Sequence, residues 1–85
     1  MTINIQDHFK ELRVLIADVL EIAPEDLTDT GSFADDYDAS SLDAVEMMAQ
    51  AEKKFDIVID QAELPNMVNL RATYAVIAKI AGWQD

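Results

Sequence analysis

The chain has 85 residues, no cysteine and a formal net charge of −11, from 17 acidic and six basic side chains. We expect one small domain over residues 1–85, and a domain near this size buries only about 60% of the surface that its unfolded chain exposes. So small a core argues against an enclosed active site, and the lack of cysteine excludes a disulfide framework and a thiolate metal site. The negative charge repels phosphate groups, so we expect neither nucleic acid nor a membrane surface as a partner.

No apolar run approaches the roughly 18 residues of a membrane-spanning helix. The first residues, Met1–Ile5, lack the basic start and apolar stretch of a secretion signal, so we expect a cytoplasmic protein. Hydrophobic residues make up 51% of the chain, which favours a folded domain over a disordered acidic tail. Glycine and proline occur twice each, and this scarcity favours helices over a turn-rich β fold.

The first predicted element is a helix over about residues 5–20. Its apolar residues recur at spacings of three and four, which puts on one face Ile5, Phe9, Leu12, Leu15 or Ile16, and Val19. Asn4 is its candidate N-cap, and Pro24 marks its exit. The sole histidine, His8, lies in this helix and is most simply a surface residue.

A long loop is predicted from residue 23 to residue 40. This stretch has no sustained hydrophobic period and is rich in Pro, Asp, Thr, Ser and Gly. Loops of this length in compact domains are usually functional or disordered. Leu27, Phe33 and Tyr37 are spaced through the loop, and we expect them to anchor it to the helices.

The second main helix is predicted to begin at Ser40 or Ser41 and to end near Phe55. The β-branched segment 56–60 is too isolated to form a strand, since a lone strand has no partner, so an extended loop is expected. A short helical turn around Gln61–Leu64 is predicted to follow.

The predicted end of that turn is Pro65, and the last helix has Asn69 as its cap and Gly82 as its stop. The fold class that follows is all-α. It is a small bundle of three main helices plus a short extra helical turn, with a long loop between the first and second main helices.

Ser41 stands at the end of the acidic loop and at the start of the second predicted helix. Unpaired backbone N–H groups and the helix dipole favour an anionic group there, such as a phosphodiester on the hydroxyl. A serine before a helix is, however, most often only an N-cap. No histidine or lysine is near Ser41 in sequence to activate it, so we expect it to be an acceptor for another enzyme and not a catalyst.

The segment SFADDYDASSLDAVE, residues 32–46, resembles without gaps the signature of the acyl carrier protein family. In that family a Ser-Phe pair precedes an acidic pair, followed by Leu-Gly-Ala-Asp-Ser-Leu-Asp and then by a valine and a glutamate. The resemblance continues to Glu52, Phe55 and Ile59, and residues 19–27, VLEIAPEDL, resemble the exit of the family's first helix. It implies an acyl-carrier-like fold and a non-catalytic carrier that holds acyl groups as thioesters. The thioester would lie on a 4'-phosphopantetheine arm, taken from coenzyme A and attached to Ser41.

The register of the resemblance distinguishes between the two adjacent serines. With Ser41 as the acceptor, five residues align with the family: Leu42, Asp43, Val45, Glu46 and Phe55. Three positions depart from the signature, because Ser40 replaces an aspartate, Asp38 a glycine and Tyr37 a leucine. Aspartate tolerates a left-handed backbone better than most residues. A tyrosine can bury its ring if its hydroxyl stays wet or finds a partner.

The resemblance also implies that the second helix docks partner enzymes. The apolar part of the docking face would be Leu42, Val45, Ala49 and Ile59, and the charged part Asp43, Glu46 and Glu52. Most such carboxylate runs are only a solvated helix face. The implied partners are a phosphopantetheinyl transferase, a ketosynthase, an acyltransferase and other acyl-chain-processing enzymes with basic docking patches. Lys53 and Lys54 interrupt the acidic strip and are candidates for tuning partner choice, and we expect a monomer.

Other functions also fit parts of the sequence. The acidic loop suggests a calcium site, but counting from Asp35 or Asp36 puts no glycine at the sixth position, so no metal site is predicted. Weak binding of a divalent cation to the loop, from its charge alone, stays open. An unmodified acidic adaptor with the same fold, an aminoacyl or peptidyl carrier and a housekeeping fatty-acid carrier stay open. Because the sequence starts at Met1 and ends shortly after Gly82, we expect a free-standing carrier. Departures from the primary-metabolism signature favour polyketide or related specialised biosynthesis.

Overall fold

The computed structural model describes the backbone of residues 5–83 and the side chains of residues 8–83. The described part is helical and contains no strand, so the predicted all-α class is confirmed. The elements in chain order are α1 (Ile5–Leu20), a 3-10 turn (Pro24–Asp26), α2 (Phe33–Asp36), α3 (Ser41–Phe55), a 3-10 turn (Gln61–Asn66) and α4 (Leu70–Ala81). Within residues 5–83 no helix is long and apolar enough to cross a membrane.

The three main helices have the bounds that the sequence predicts. The backbone of α4 begins after Asn69, whose side chain accepts a hydrogen bond from the Ala72 N–H at 2.7 Å. It ends at Gly82, which has a left-handed backbone with φ of 76°. Both the predicted cap and the predicted stop are therefore confirmed, whereas the predicted cap Asn4 lies outside the described residues.

Two short elements differ from the prediction. The loop between α1 and α3 contains a 3-10 turn and the single turn of α2, which is capped by Ser32 through the Asp35 N–H at 3.2 Å. The later 3-10 turn does not end at Pro65 but includes it. Proline has the φ value of such a turn. The turn is closed by other N–H groups, those of Glu63 and Met67, so the missing proline N–H breaks none of these bonds.

The core forms where α1 packs against both α3 and α4. Its most deeply buried side chains come from α1, the long loop and α4: Leu12, Ile16, Leu27, Leu70, Thr73 and Ile77. The one polar member, Thr73, donates its hydroxyl proton to the Asn69 carbonyl oxygen at 2.8 Å. Its burial therefore leaves no unpaired hydroxyl.

The long loop is held to the helices, as its apolar residues predict. The side chains of Leu27 and Phe33 are buried in the core. The ring of Tyr37 is half-buried, and its hydroxyl accepts from the Thr28 N–H at 2.7 Å and lies 3.1 Å from the Asp26 carbonyl oxygen. The predicted anchoring is confirmed, and of the two alternatives for the tyrosine hydroxyl, contact with water or with a protein partner, the structure shows protein partners.

Backbone and charged groups add further links from the loop to α1 and α4. The Phe33 N–H donates to the Val68 carbonyl, and the Arg71 N–H to the Asp29 carbonyl, both at 2.9 Å. From α1, the Arg13 guanidinium donates to the Leu27 carbonyl and to the Asp29 carboxylate. These contacts fix the path of the chain toward the start of α3.

His8 is not the surface residue that the sequence analysis predicts. Its ring stacks on Trp83 with 3.9 Å between ring centroids and meets the Phe55 ring edge-on at 6.3 Å. The Nδ1 atom is buried and has no hydrogen-bond partner. His8 lies four residues before Leu12 and thus on the same face of α1, which explains why the ring turns toward the core.

Candidate functional site

Ser40 is the residue that caps α3. Its hydroxyl oxygen accepts a hydrogen bond from the Asp43 N–H at 3.2 Å, and the Asp43 carboxylate accepts from the Ser40 N–H at 2.9 Å. These reciprocal bonds form a capping box, which satisfies a backbone donor at the helix start. The Ser40 hydroxyl and the Asp43 carboxylate are therefore both engaged in the structure of the helix itself.

Ser41 is the first residue of α3, and it is exposed. Among the described residues its hydroxyl has no hydrogen-bond partner, in contrast to that of Ser40. The Asp43 N–H is bound to the Ser40 hydroxyl, whereas the N–H groups of Ser41 and Leu42 have no carbonyl partner within the helix and favour an anion at this point. The geometry thus offers one free hydroxyl in a field suited to a phosphodiester.

The chain reaches this site through a left-handed residue. Asp38 has φ of 57°, which shows that the position needs the backbone conformation that aspartate tolerates. The next residue donates its N–H back to α2, from Ala39 to the Phe33 carbonyl at 2.9 Å. The turn therefore connects Ser40 and Ser41 to the anchored part of the loop.

A small recess opens beside Ser41. Its volume is about 220 Å³, and its walls come from α2, α3 and the segment before α4. Apolar side chains from each of these parts line it: Phe33, Ala39, Ala44, Met47, Met67 and Val68. Ser32, Ser40 and Ser41 also line it. The apolar part of the walls suits an apolar group attached near Ser41, because contact there removes apolar surface from water.

The exposed face of α3 carries most of the predicted docking residues. Leu42 is 78% exposed and Val45 is 46% exposed, although both are large apolar side chains. Ala49 and Glu46 are also exposed, and the Glu46 carboxylate accepts from the Gln50 side-chain amide at 2.8 Å. This face therefore combines apolar area with negative charge, as the sequence analysis expects.

Two predicted docking residues have other surroundings in the structure. Ile59 is only 4% exposed, and its side chain belongs to the core, which corrects its assignment to an exposed face. Glu52 is half-buried, and its carboxylate accepts from the Ile59 N–H at 2.7 Å. The exposed residue of this segment is Val58, at 82%, which the sequence analysis did not single out. The alternation of an extended chain is the signal that identifies it, since neighbours point to opposite sides.

The described side chains contain no group of three or more His, Asp or Glu residues that is placed to hold a metal ion. Two acidic side chains near Ser41, those of Asp36 and Asp43, instead accept hydrogen bonds from backbone N–H groups. Asp36, for example, accepts from the Ser32 N–H at 2.8 Å. The functional group that stands out at this end of the molecule is the Ser41 hydroxyl.

The known proteins to which this chain is similar include acyl carrier proteins. Residues 10–79 match the family model for the phosphopantetheine attachment site. The chain is 40% identical over 72 residues to polyketide-8 synthase acyl carrier protein 1 of Streptomyces avermitilis, an alignment that covers 85% of this chain and 86% of the relative. It is 38% identical over 61 residues to an acyl carrier protein of Brachyspira hyodysenteriae, with 71% and 78% covered.

A solved structure has the same fold. It is described as the ishigamide ketosynthase/chain length factor, and one of its chains superposes with a TM-score of 0.78 at 35% sequence identity. The match covers 91% of this chain and 97% of the other.

Proposed function

The chain belongs to the phosphopantetheine-attachment family of acyl carrier proteins, and we propose that Ser41 carries its arm in a polyketide-type pathway. As a member of that family it is a non-catalytic carrier with a 4'-phosphopantetheine cofactor. The chain has no cysteine, so the thiol that holds the acyl group as a thioester is supplied by the bound arm.

The observation that carries the assignment to Ser41 is the different state of two neighbouring hydroxyls. Ser40 accepts the Asp43 N–H within the capping box, whereas Ser41 is exposed and has no partner among the described residues. Modification of Ser40 would compete with the cap. Modification of Ser41 leaves the cap intact and puts the phosphate at the helix N-terminus.

The chain's own residues would hold and present the arm. Backbone N–H groups at the start of α3 orient the phosphate, and the apolar recess beside Ser41 shields the first part of a hydrophobic cargo. Leu42, Val45 and Ala49 then supply apolar contact area to the partner enzyme, with Glu46 facing its basic residues. The expected partners are a phosphopantetheinyl transferase, a ketosynthase and an acyltransferase.

Intact-mass measurement after incubation with coenzyme A and a phosphopantetheinyl transferase tests this assignment. We expect one added phosphopantetheine on the unchanged chain and on Ser40→Ala, and none on Ser41→Ala. The Ser40 variant is the matched control, because it removes a hydroxyl one residue away. Modification of Ser41→Ala at the wild-type rate would contradict the assignment, and a chain that no competent transferase modifies would favour the unmodified adaptor.

The pathway is proposed from the relatives. Two polyketide-8 synthase acyl carrier proteins of Streptomyces avermitilis are 40% and 34% identical to this chain. Mass spectrometry of the species attached to the arm in the native host tests this part separately. β-Ketoacyl intermediates of a growing polyketide are expected, and an arm that carries only saturated acyl chains or only aminoacyl groups would contradict it.

A further inference from the structure

A second surface of the molecule is not used by the attachment site. A groove of about 730 Å³ lies between α1 and α3, and its walls include neither Ser41 nor any residue of the recess beside it. Val14 on α1 and Ala49 on α3 are both exposed along it, with Val14 at 51%. The core residue Leu15 also lines it. The groove therefore has an apolar strip, beside which lies the Gln50 side chain, whose amide donates to the Glu46 carboxylate.

The two ends of the groove differ in charge. The Lys54 ammonium contacts the Glu11 carboxylate at 3.2 Å near one end, while Asp18 and Glu46 line the groove as well. A helix rises by about 1.5 Å per residue. Asp18 therefore lies about 10 Å beyond Glu11 along α1, and Glu46 lies about 12 Å before Lys54 along α3. His8 and Glu11, in the first half of α1, contact Phe55 and Lys54 at the end of α3, while Asp18 and Glu46 line the same groove, so the two helices run antiparallel.

This arrangement puts negative charge toward the Ser41 end and positive charge at the far end. Lys54 is partly neutralised by Glu11, but Lys53 forms no ion pair with any side chain of residues 8–83. Lys53 therefore supplies the free positive charge at the far end, and Asp18 and Glu46 the negative charge at the other.

We propose that this groove receives a helix of an enzyme that acts on the arm's cargo. That helix would have an apolar stripe on Val14 and Ala49, a lysine or arginine toward Asp18 and Glu46, and an aspartate or glutamate toward Lys53. The groove is negative at one end and positive at the other. A partner segment that is positive at the first end and negative at the second is therefore electrostatically complementary to it. A second copy of this chain is a poor occupant, because two chains of net charge −11 repel each other.

The proposal rests on the carrier function and extends its contact surface from α3 onto α1. Glu46 and Ala49 belong both to the exposed face of α3 and to the wall of the groove, so one partner can cover both. Val14 lies on α1, outside the exposed face of α3, and it also borders a second recess beside Phe9 and Pro24. Lys53 lines the groove and not that second recess. Substitution of Val14 therefore separates this proposal from docking on α3 alone.

The test measures the affinity of the chain for the purified ishigamide ketosynthase/chain length factor, with and without the arm. We expect Val14→Gln to weaken binding about tenfold, because it removes the apolar area that the partner helix covers. Lys53→Glu should weaken binding as well. The control Ile80→Gln changes an exposed apolar residue of α4 outside the groove, and its affinity should stay within about twofold of the unchanged chain.

Binding of Val14→Gln with unchanged affinity overturns the proposal, as does an unchanged chain that does not bind this enzyme or that dimerises through Val14. An equal loss in Ile80→Gln overturns it too, since the effect is then not specific to the groove. Arm loading by the transferase is measured on each variant. If the unchanged chain is not loaded, the proposed function is contradicted. Binding of the arm-free chain to the enzyme still tests the proposal that the groove is a docking site.

Discussion

Replacement of Ser40 by alanine tests the physical basis of the site most directly. The change removes the hydroxyl that accepts the Asp43 N–H at 3.2 Å and leaves the Asp43 carboxylate on the residue-40 N–H. Half of the capping box is lost, and loss of a serine N-cap costs about 1 kcal/mol of stability. For a domain of this size, that corresponds to a decrease in Tm of about 4–8 °C.

The matched variant is Ser40→Asp, which restores the aspartate of the family signature. An aspartate caps a helix about as well as serine, and its charge is favourable at the helix N-terminus. We therefore expect the free energy of unfolding of Ser40→Asp to lie within about 0.5 kcal/mol of the unchanged chain. If the transferase uses a carboxylate at this position, this variant is also loaded faster.

Urea unfolding followed by far-ultraviolet circular dichroism, with all three chains compared, provides the measurement. The expected order is the unchanged chain and Ser40→Asp together, with Ser40→Ala lower. An unfolding midpoint of Ser40→Ala equal to that of the unchanged chain would refute the capping role. A loss in Ser40→Asp as large as in Ser40→Ala would show that the hydroxyl itself, and not capping ability, is what this position needs.

Three other variants probe parts of the molecule away from the cap. His8→Phe keeps a ring against Trp83 and removes the buried, unpaired Nδ1, so we expect about 1 kcal/mol of added stability in urea unfolding; a loss would contradict the packing described. Gly31→Ala brings a Cβ within 2.5 Å of the Thr28 hydroxyl oxygen, and we expect a loss of about 1–3 kcal/mol by the same assay, whereas an unchanged midpoint would show that the turn relaxes freely. Ala44→Phe fills the recess beside Ser41; we expect normal arm loading but faster hydrolysis of an octanoyl thioester, and an unchanged hydrolysis rate would argue against shielding in the recess.

The three main helices could be predicted from the sequence because their ends carry local signals. Ser40 with Asp43, Asn69 and Gly82 act through neighbouring backbone groups, and those contacts are determined by residues a few positions apart. The proposed attachment at Ser41 follows from the same local register. The left-handed conformation of Asp38 is likewise a property of the residue and its turn.

The features that could not be predicted depend on residues far apart in the chain. His8 is half-buried because Trp83 and Phe55 meet it from two other parts of the chain, which a helical pattern in α1 does not show. Ile59 is drawn into the core with its N–H on the Glu52 carboxylate, so Val58 is left exposed. Family resemblance gives an order of residues but not the side to which each one points.

The backbone bond between Phe33 and Val68 also bears on how the site moves. These residues lie on two sides of the recess beside Ser41, and their N–H···O=C distance is 2.9 Å. The recess can widen between these walls only if that bond breaks. Hydrogen exchange of the Phe33 amide therefore reports the rate and the free energy of opening, because a protected amide exchanges only in open states. A bulky cargo that enters the recess should accelerate this one amide ahead of those in the middle of α1.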